Sequence, residues 1–264
     1  MRKRRVNIAY VILKIIMIIL IVYFATDLVM QTISYSFYKG DKQLKDITYK
    51  PEEIQIGDSL YGYGCNLNAD SDKVILFFGG SMYVAYNTIG MYGGKFDCPV
   101  LSVDYYGTQK SRGKMNLRTM QQSAEELYDY AAKKYPGRDF YIFGHSYGCG
   151  MAAYLASVRD CRHLLLASGY RTCADLYNKI IPIYWGPMQV FIKNNIRVDQ
   201  YAKNTTCPVT VLGSDADTTL SAKTQQKVAD CYANAECKIF EGIKHEDYFV
   251  TDEVIRYVYE AVLK

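Results

Sequence analysis

The chain has 264 residues, 50% of them hydrophobic, with 26 tyrosines and a formal net charge of +4. That is enough apolar material for one sizeable domain and an appendage. Arg2, Lys3, Arg4 and Arg5 carry all of the excess charge, so the remaining chain sums to about zero, which argues against the basic folded face that nucleic-acid binding requires.

The basic N-terminus, residues 1–5, is followed by "VNIAYVILKIIMIILIVYFATDLVM" over residues 6–30, where Lys14 is the single charge between Ala9 and Thr26. A bilayer core requires ~20 mostly apolar helical residues, and this stretch meets that length. Lys14, toward the basic end, can extend its ammonium to the headgroups. A cleaved signal peptide would have an apolar core of ~7–15 residues and a small-x-small site after it. Here the run is longer and no Ala-x-Ala follows, so an uncleaved anchor is expected. The basic cluster stays cytoplasmic and sends the chain beyond Met30 across the membrane. Residues 31–50 form a stalk and lead-in.

From residue 51 onward, apolar runs of strand length alternate with helical patterns. The expected strands are 73–78, 100–104, 139–143, 163–167, 209–213 and 238–241. Leu117, Met120, Ala124, Leu127 and Ala131 mark one helix face, and Val250, Val254, Val258 and Val262 a second. Short apolar strands alternating with helices predict an α/β fold, a mostly parallel sheet covered on both faces. No internal repeat is visible. The eight cysteines form no Cys-x-x-Cys pair and no Cys/His cluster, so no metal site is expected. Cys231 and Cys237 are the one near pair and a weak disulfide candidate; most of the others are expected as small buried hydrophobes.

"DFYIFGHSYGCGMAAYLA" places Gly144-x-Ser146-x-Gly148 between a strand and a helix. The glycines permit a sharp turn, which would expose the Ser146 hydroxyl at the strand end and aim the Tyr147 N–H at a developing oxyanion. A structural turn is the alternative. A serine nucleophile requires a base. Of the three histidines, His145 lies inside the motif, His163 opens a strand, and His245 sits in "FEGIKHEDYF", on a loop between the last strand and the last helix. His245 is therefore the expected base. "VTVLGSDADTTL" offers Asp215 and Asp217 past a strand's carboxyl end, one as the orienting carboxylate and the other as a turn or cap residue. The order Ser, Asp, His is that of one superfamily.

These residues resemble the α/β-hydrolases, in particular small-lid serine hydrolases of the ABHD13 and ABHD17 type and their bacterial relatives. The likeness spans residues 51–264. "VILFFGGSMYVAYN" is similar to the first oxyanion loop, without the usual histidine before the glycine. "VLSVDYYGTQKSRGK", the serine motif, "TTCPVTVLGSDADTTLS" and "GIKHEDYF" follow in the family's order. The resemblance implies an eight-stranded sheet with its first strand shortened, and the Ser81 N–H as second oxyanion donor beside Tyr147; a one-residue shift makes it Gly80. It favours Asp217, followed by two threonines and Leu220, over Asp215, which is nearer the usual distance from Gly213. Residues 169–204 resemble the small lid. Its Ile180, Ile181, Ile183, Tyr184, Trp185, Met188, Val190 and Phe191 either line an acyl pocket or pack the lid onto the body.

The expected function is a membrane-anchored serine hydrolase cleaving a carboxylic ester, thioester or amide, with Ser146, His245 and Asp217 as triad, Ser81 and Tyr147 as oxyanion donors, a small-molecule acyl substrate, and no cofactor. The domain is expected outside the cytoplasm. The alternatives are a peptidase of the same fold or a non-catalytic membrane-anchored binding module.

Overall fold

The computed structural model describes residues 8–38, 40, 42–45, 47–179, 182–192 and 194–264. Helix α1, Ile8–Tyr38, continues past the expected end of the span. Its window Ile8–Val29 has a mean hydropathy of 2.7 and none of it is buried. At 1.5 Å per residue that window is ~33 Å long, enough for a hydrocarbon core. A core helix of this composition would be covered by the domain, whereas this one is bare.

The domain is an eight-stranded sheet in the order β1-β2-β4-β3-β5-β6-β7-β8. Its strands are β1 (Glu52–Ile56), β2 (Leu60–Cys65), β3 (Lys73–Phe78), β4 (Val100–Val103), β5 (Asp139–His145), β6 (His163–Ala167), β7 (Val209–Ser214) and β8 (Ala235–Phe240). The ladders from β4 through β3, β5, β6 and β7 to β8 are parallel. The β1–β2 and β2–β4 pairs are antiparallel. Runs such as Val74 to Phe78 and Leu164 to Ala167 are wholly buried. Covering helices on both faces leave no solvent side for such strands, so apolar residues follow one another without alternation.

Six strands were legible in the sequence; the β1–β2 hairpin was not. Its turn is carried by Gly57 at φ +60. Strand β2 is interrupted by Gly62 and Gly64, which weakens its β pattern. Gly62 is required by close approach: a Cβ there would lie 2.3 Å from the Ser102 carbonyl oxygen, while one at Gly64 would meet the Leu67 side chain.

Helices α2 (Ala85–Tyr92), α3 (Leu117–Lys134), α4 (Cys149–Val158), α7 (Ala222–Ala229) and α8 (Asp252–Tyr257) accompany the sheet, and α5 (Cys173–Tyr177) and α6 (Val198–Tyr201) belong to the lid. Helix α3 begins at a reciprocal cap between Asn116 and Thr119 and buries Met120, Ala124, Leu127 and Ala131, as the periodicity predicts. At the C-terminus Val254, Val258 and Val262 are buried, while Val250 precedes α8 and is exposed.

The lead-in is held on the domain. Leu44 N–H donates to Asn87 Oδ1, Asn87 Nδ2 donates to the Lys42 carbonyl, and the N–H groups of Thr48 and Tyr49 donate to the Gly90 carbonyl. Gly40 is pressed against the carbonyl of Met82. All eight cysteines are free thiols, including Cys231 and Cys237. The Cys231 thiol donates to its own helix at the Lys227 carbonyl, so the weak disulfide candidate is not realised.

Candidate active site

Strand β5 delivers Ser146 into a sharp turn whose backbone has φ +50. A non-glycine residue in this region is strained by ~1–2 kcal/mol, so the turn persists because its surroundings leave no alternative. Those surroundings explain both glycines of the motif. A Cβ at Gly144 would lie 2.7 Å from Cys149 Cα, and one at Gly148 would lie 2.2 Å from the Phe78 carbonyl oxygen. The helix that follows can cross β3 and β5 only where those side chains are missing.

The turn holds the Ser146 hydroxyl 2.8 Å from His245 Nε2. His245 Nδ1 faces the Asp217 carboxylate at 3.0 and 3.2 Å. An ionised carboxylate only accepts, so Nδ1 carries the proton and Nε2 is left bare to accept from serine. Asp217 is buried and receives N–H groups of Thr219 and Leu220 on Oδ1, each at 2.9 Å. Ser168 donates to Oδ2 at 2.5 Å and Tyr248 donates to the same oxygen at 3.3 Å. Burial alone would raise the Asp217 pKa. Hydrogen bonds from His245, Ser168 and Leu220 outweigh it and hold the carboxyl well below its ordinary range.

The two aspartates thus separate. Asp215, exposed, accepts the Gly242 N–H at 2.8 Å and closes the turn after β8. Asp217 alone reaches the histidine.

Three supporting residues were given no role by the sequence. Ser168, at φ +50 beyond the end of β6, contacts both Asp217 and His245 Nδ1. Tyr248 is reached through the histidine loop. His145 is buried, with Nε2 2.8 Å from the His245 carbonyl oxygen, so it holds the loop that carries His245. Burial pushes the His145 pKa down to about 4, which keeps the imidazole neutral. Ser168 could have been suspected only from its place after a buried strand.

A cavity of about 160 Å³ opens over Ser146, walled by Gly80, Ser81, Tyr83, Asn87, Tyr92 and the lead-in residue Leu44 among others. A Cβ at Gly80 would lie 3.8 Å from Ser146 Oγ, so the expected oxyanion loop runs directly beside the serine. Among the described residues no lid residue belongs to this wall. Tyr184 is buried, beside Tyr177 and Asn178 of the lid itself; Ile183, Trp185 and Val190 are exposed; Phe191 meets Tyr23 of α1 with ring centroids 5.2 Å apart. Ile180 and Ile181 lie outside the described residues. Among the described residues no group of three or more His, Cys, Asp or Glu side chains is placed to hold a metal ion.

No family model matches the chain. It is 26% identical over 154 residues to a lysophosphatidylserine lipase, ABHD12, of Danio rerio, a match that takes in 52% of this chain and 40% of that protein. An esterase from Pyrococcus furiosus superposes with a TM-score of 0.60 at 15% identity, covering 86% of this chain and 98% of its own. An α/β hydrolase fold protein from Chitinophaga pinensis gives 0.61 at 13% identity, covering 83% and 98%. The sheet order, the strained serine turn between β5 and α4, and these likenesses agree: the protein has the α/β-hydrolase fold.

Proposed function

We propose that the protein is a membrane-anchored serine hydrolase that cleaves an acyl ester by way of an acyl-enzyme. The observation that carries this reading is the unbroken chain Ser146 Oγ, His245 Nε2, His245 Nδ1, Asp217, with contacts of 2.8 and 3.0 Å. Ser146 attacks the carbonyl while His245 takes its proton. The imidazolium then protonates the leaving alkoxide. Water, activated by the same histidine, releases the acid. Asp217 keeps the imidazole in the required tautomer and stabilises its cationic form. Backbone N–H groups of Ser81 and Tyr147 receive the oxyanion, each worth ~3–4 kcal/mol in a transition state.

Helix α1 is the proposed anchor, with the basic sequence that precedes it in the cytoplasm and the domain outside. The Phe191–Tyr23 contact supports an amphiphilic substrate met at the membrane surface, since it sets the exposed apolar face of the lid beside the span. The Danio rerio relative is a lipase, an activity of the same class. A peptidase remains the second reading of this same triad, because the fold hosts both. Phe78 stands where the family has a histidine, which is the feature that favours a non-catalytic module.

A fluorophosphonate probe separates these. Wild-type protein is expected to be labelled and Ser146→Ala to be inert with an unchanged circular-dichroism spectrum. Labelling that survives in the variant removes Ser146 from the mechanism. p-Nitrophenyl esters of rising chain length, assayed beside aminoacyl amides, then divide esterase from peptidase.

A further inference from the structure

Each of the thiols of Cys149, Cys173 and Cys231 is turned to a backbone carbonyl. Cys161 is different. Its thiol is turned to another thiol, with Sγ 2.9 Å from Cys207 Sγ. The two residues lie at the entries of neighbouring parallel strands, β6 and β7. The backbone holds them there: Leu164 N–H donates to the Pro208 carbonyl, and the ladder pairs Leu164 with Val209. The backbones of the two cysteines therefore stay side by side while the sheet is intact. Both residues are partly exposed, so a reagent can reach them. This end of the sheet is opposite Ser146 and plays no part in the site.

The geometry points to Cys161 and Cys207 as a disulfide site, oxidised by a donor that is itself a disulfide. The Cys161 thiol hydrogen-bonds to Cys207 and lowers the Cys207 pKa while its own is raised, which makes Cys207 the attacking sulfur. The Cys207 thiolate attacks one donor sulfur and expels the other as a thiolate. Cys161, giving up its proton, then attacks Cys207 in the mixed disulfide and expels the second donor sulfur. Two protein thiols are oxidised and one donor disulfide is reduced to two thiols. A gap of 2.9 Å closes to a bond of ~2.05 Å by small side-chain rotations. The bond spans 46 positions and encloses β6 and the whole lid, so it removes loop entropy from the unfolded chain. A domain outside the cytoplasm meets the conditions in which such a bond persists.

The test uses the full-length protein in detergent micelles, incubated with oxidised glutathione, alkylated and digested with trypsin. The expected product joins peptide Asp160–Arg162 to peptide Asn204–Lys223. The oxidised protein should melt roughly 5–10 °C above the reduced one. A Cys161→Ser/Cys207→Ser double variant should melt at one temperature with or without reductant. Recovery of both peptides alkylated or carrying glutathione, or of Cys207 joined to another cysteine, overturns the site. The joined peptide with no difference in melting overturns its stabilising role. Neither readout depends on hydrolase activity.

Discussion

Replacing Asp217 with Asn exchanges one acceptor oxygen for an NH₂ group in a place where every neighbour donates. Oδ1 holds two backbone N–H groups at 2.9 Å, so the amide oxygen will keep that position. The NH₂ group then faces His245 Nδ1, Ser168 and Tyr248 where Oδ2 stood. It can satisfy Nδ1 only by donating to it, which moves the imidazole proton to Nε2. Nε2, 2.8 Å from Ser146 Oγ, then carries a proton and cannot take one from serine. The same exchange in a serine protease cost ~10⁴ in kcat. At 1.36 kcal/mol per decade that is ~5.5 kcal/mol of transition-state stabilisation. Asp215→Asn keeps an oxygen for its single partner, the Gly242 N–H, and should change kcat less than about tenfold. The assay is kcat on a p-nitrophenyl ester at pH 8, with melting temperatures to show that both variants fold. A loss of at least about a hundredfold for Asp217→Asn alone is expected. Equal losses, or the reverse ranking, would refute the tautomer argument.

Gly148→Ala places a methyl 2.2 Å from the Phe78 carbonyl oxygen, a backbone atom that cannot step aside, and should cost ~2–3 kcal/mol of stability together with probe labelling; an unchanged melting temperature would contradict the crossing geometry. His145 is neutral in the folded protein down to about pH 4, whereas in the unfolded chain it takes a proton near pH 6.5. Between those values the unfolded state binds more protons, so this contribution is complete above pH 6.5 and is lost as pH falls to 4, by up to ~3 kcal/mol. The stability gap between wild type and His145→Gln should therefore shrink on acidification; a gap constant from pH 8 to 4 would remove His145 from the acid response. Protease added to intact spheroplasts should digest the domain, and protection until lysis would reverse the proposed orientation.

Much of the site was visible as local pattern. The elbow could be read because its two glycines and its serine are five consecutive residues, and the chain direction dictates a turn between an apolar run and a helix. His245 was legible by its place on a loop before the last helix. The choice between Asp215 and Asp217 hung on a spacing argument drawn from resemblance. The structure separates them because the turn after β7 buries one side chain and exposes the other. Ser168, Tyr248 and His145 had no such pattern. Each reaches His245 or Asp217 across gaps of up to 100 positions, which no periodicity records.

Composition and short-range order, then, determined the apolar N-terminal helix, six of the eight strands, the helix face of α3 and the strand-turn-helix around Ser146. These follow from residue-by-residue preferences over a few turns of chain, where apolar spacing and glycine freedom act directly. Tertiary structure alone decided the β1–β2 hairpin, where Gly62 is demanded by neighbouring backbone, and the lead-in's hold on α2 and the loop before it. It also decided the lid's turn away from the cavity toward α1, and the meeting of Cys161 with Cys207 rather than of Cys231 with Cys237. In each case the deciding contact joins residues far apart in the chain, and only the packed sheet, which fixes both partners at once, sets their distance.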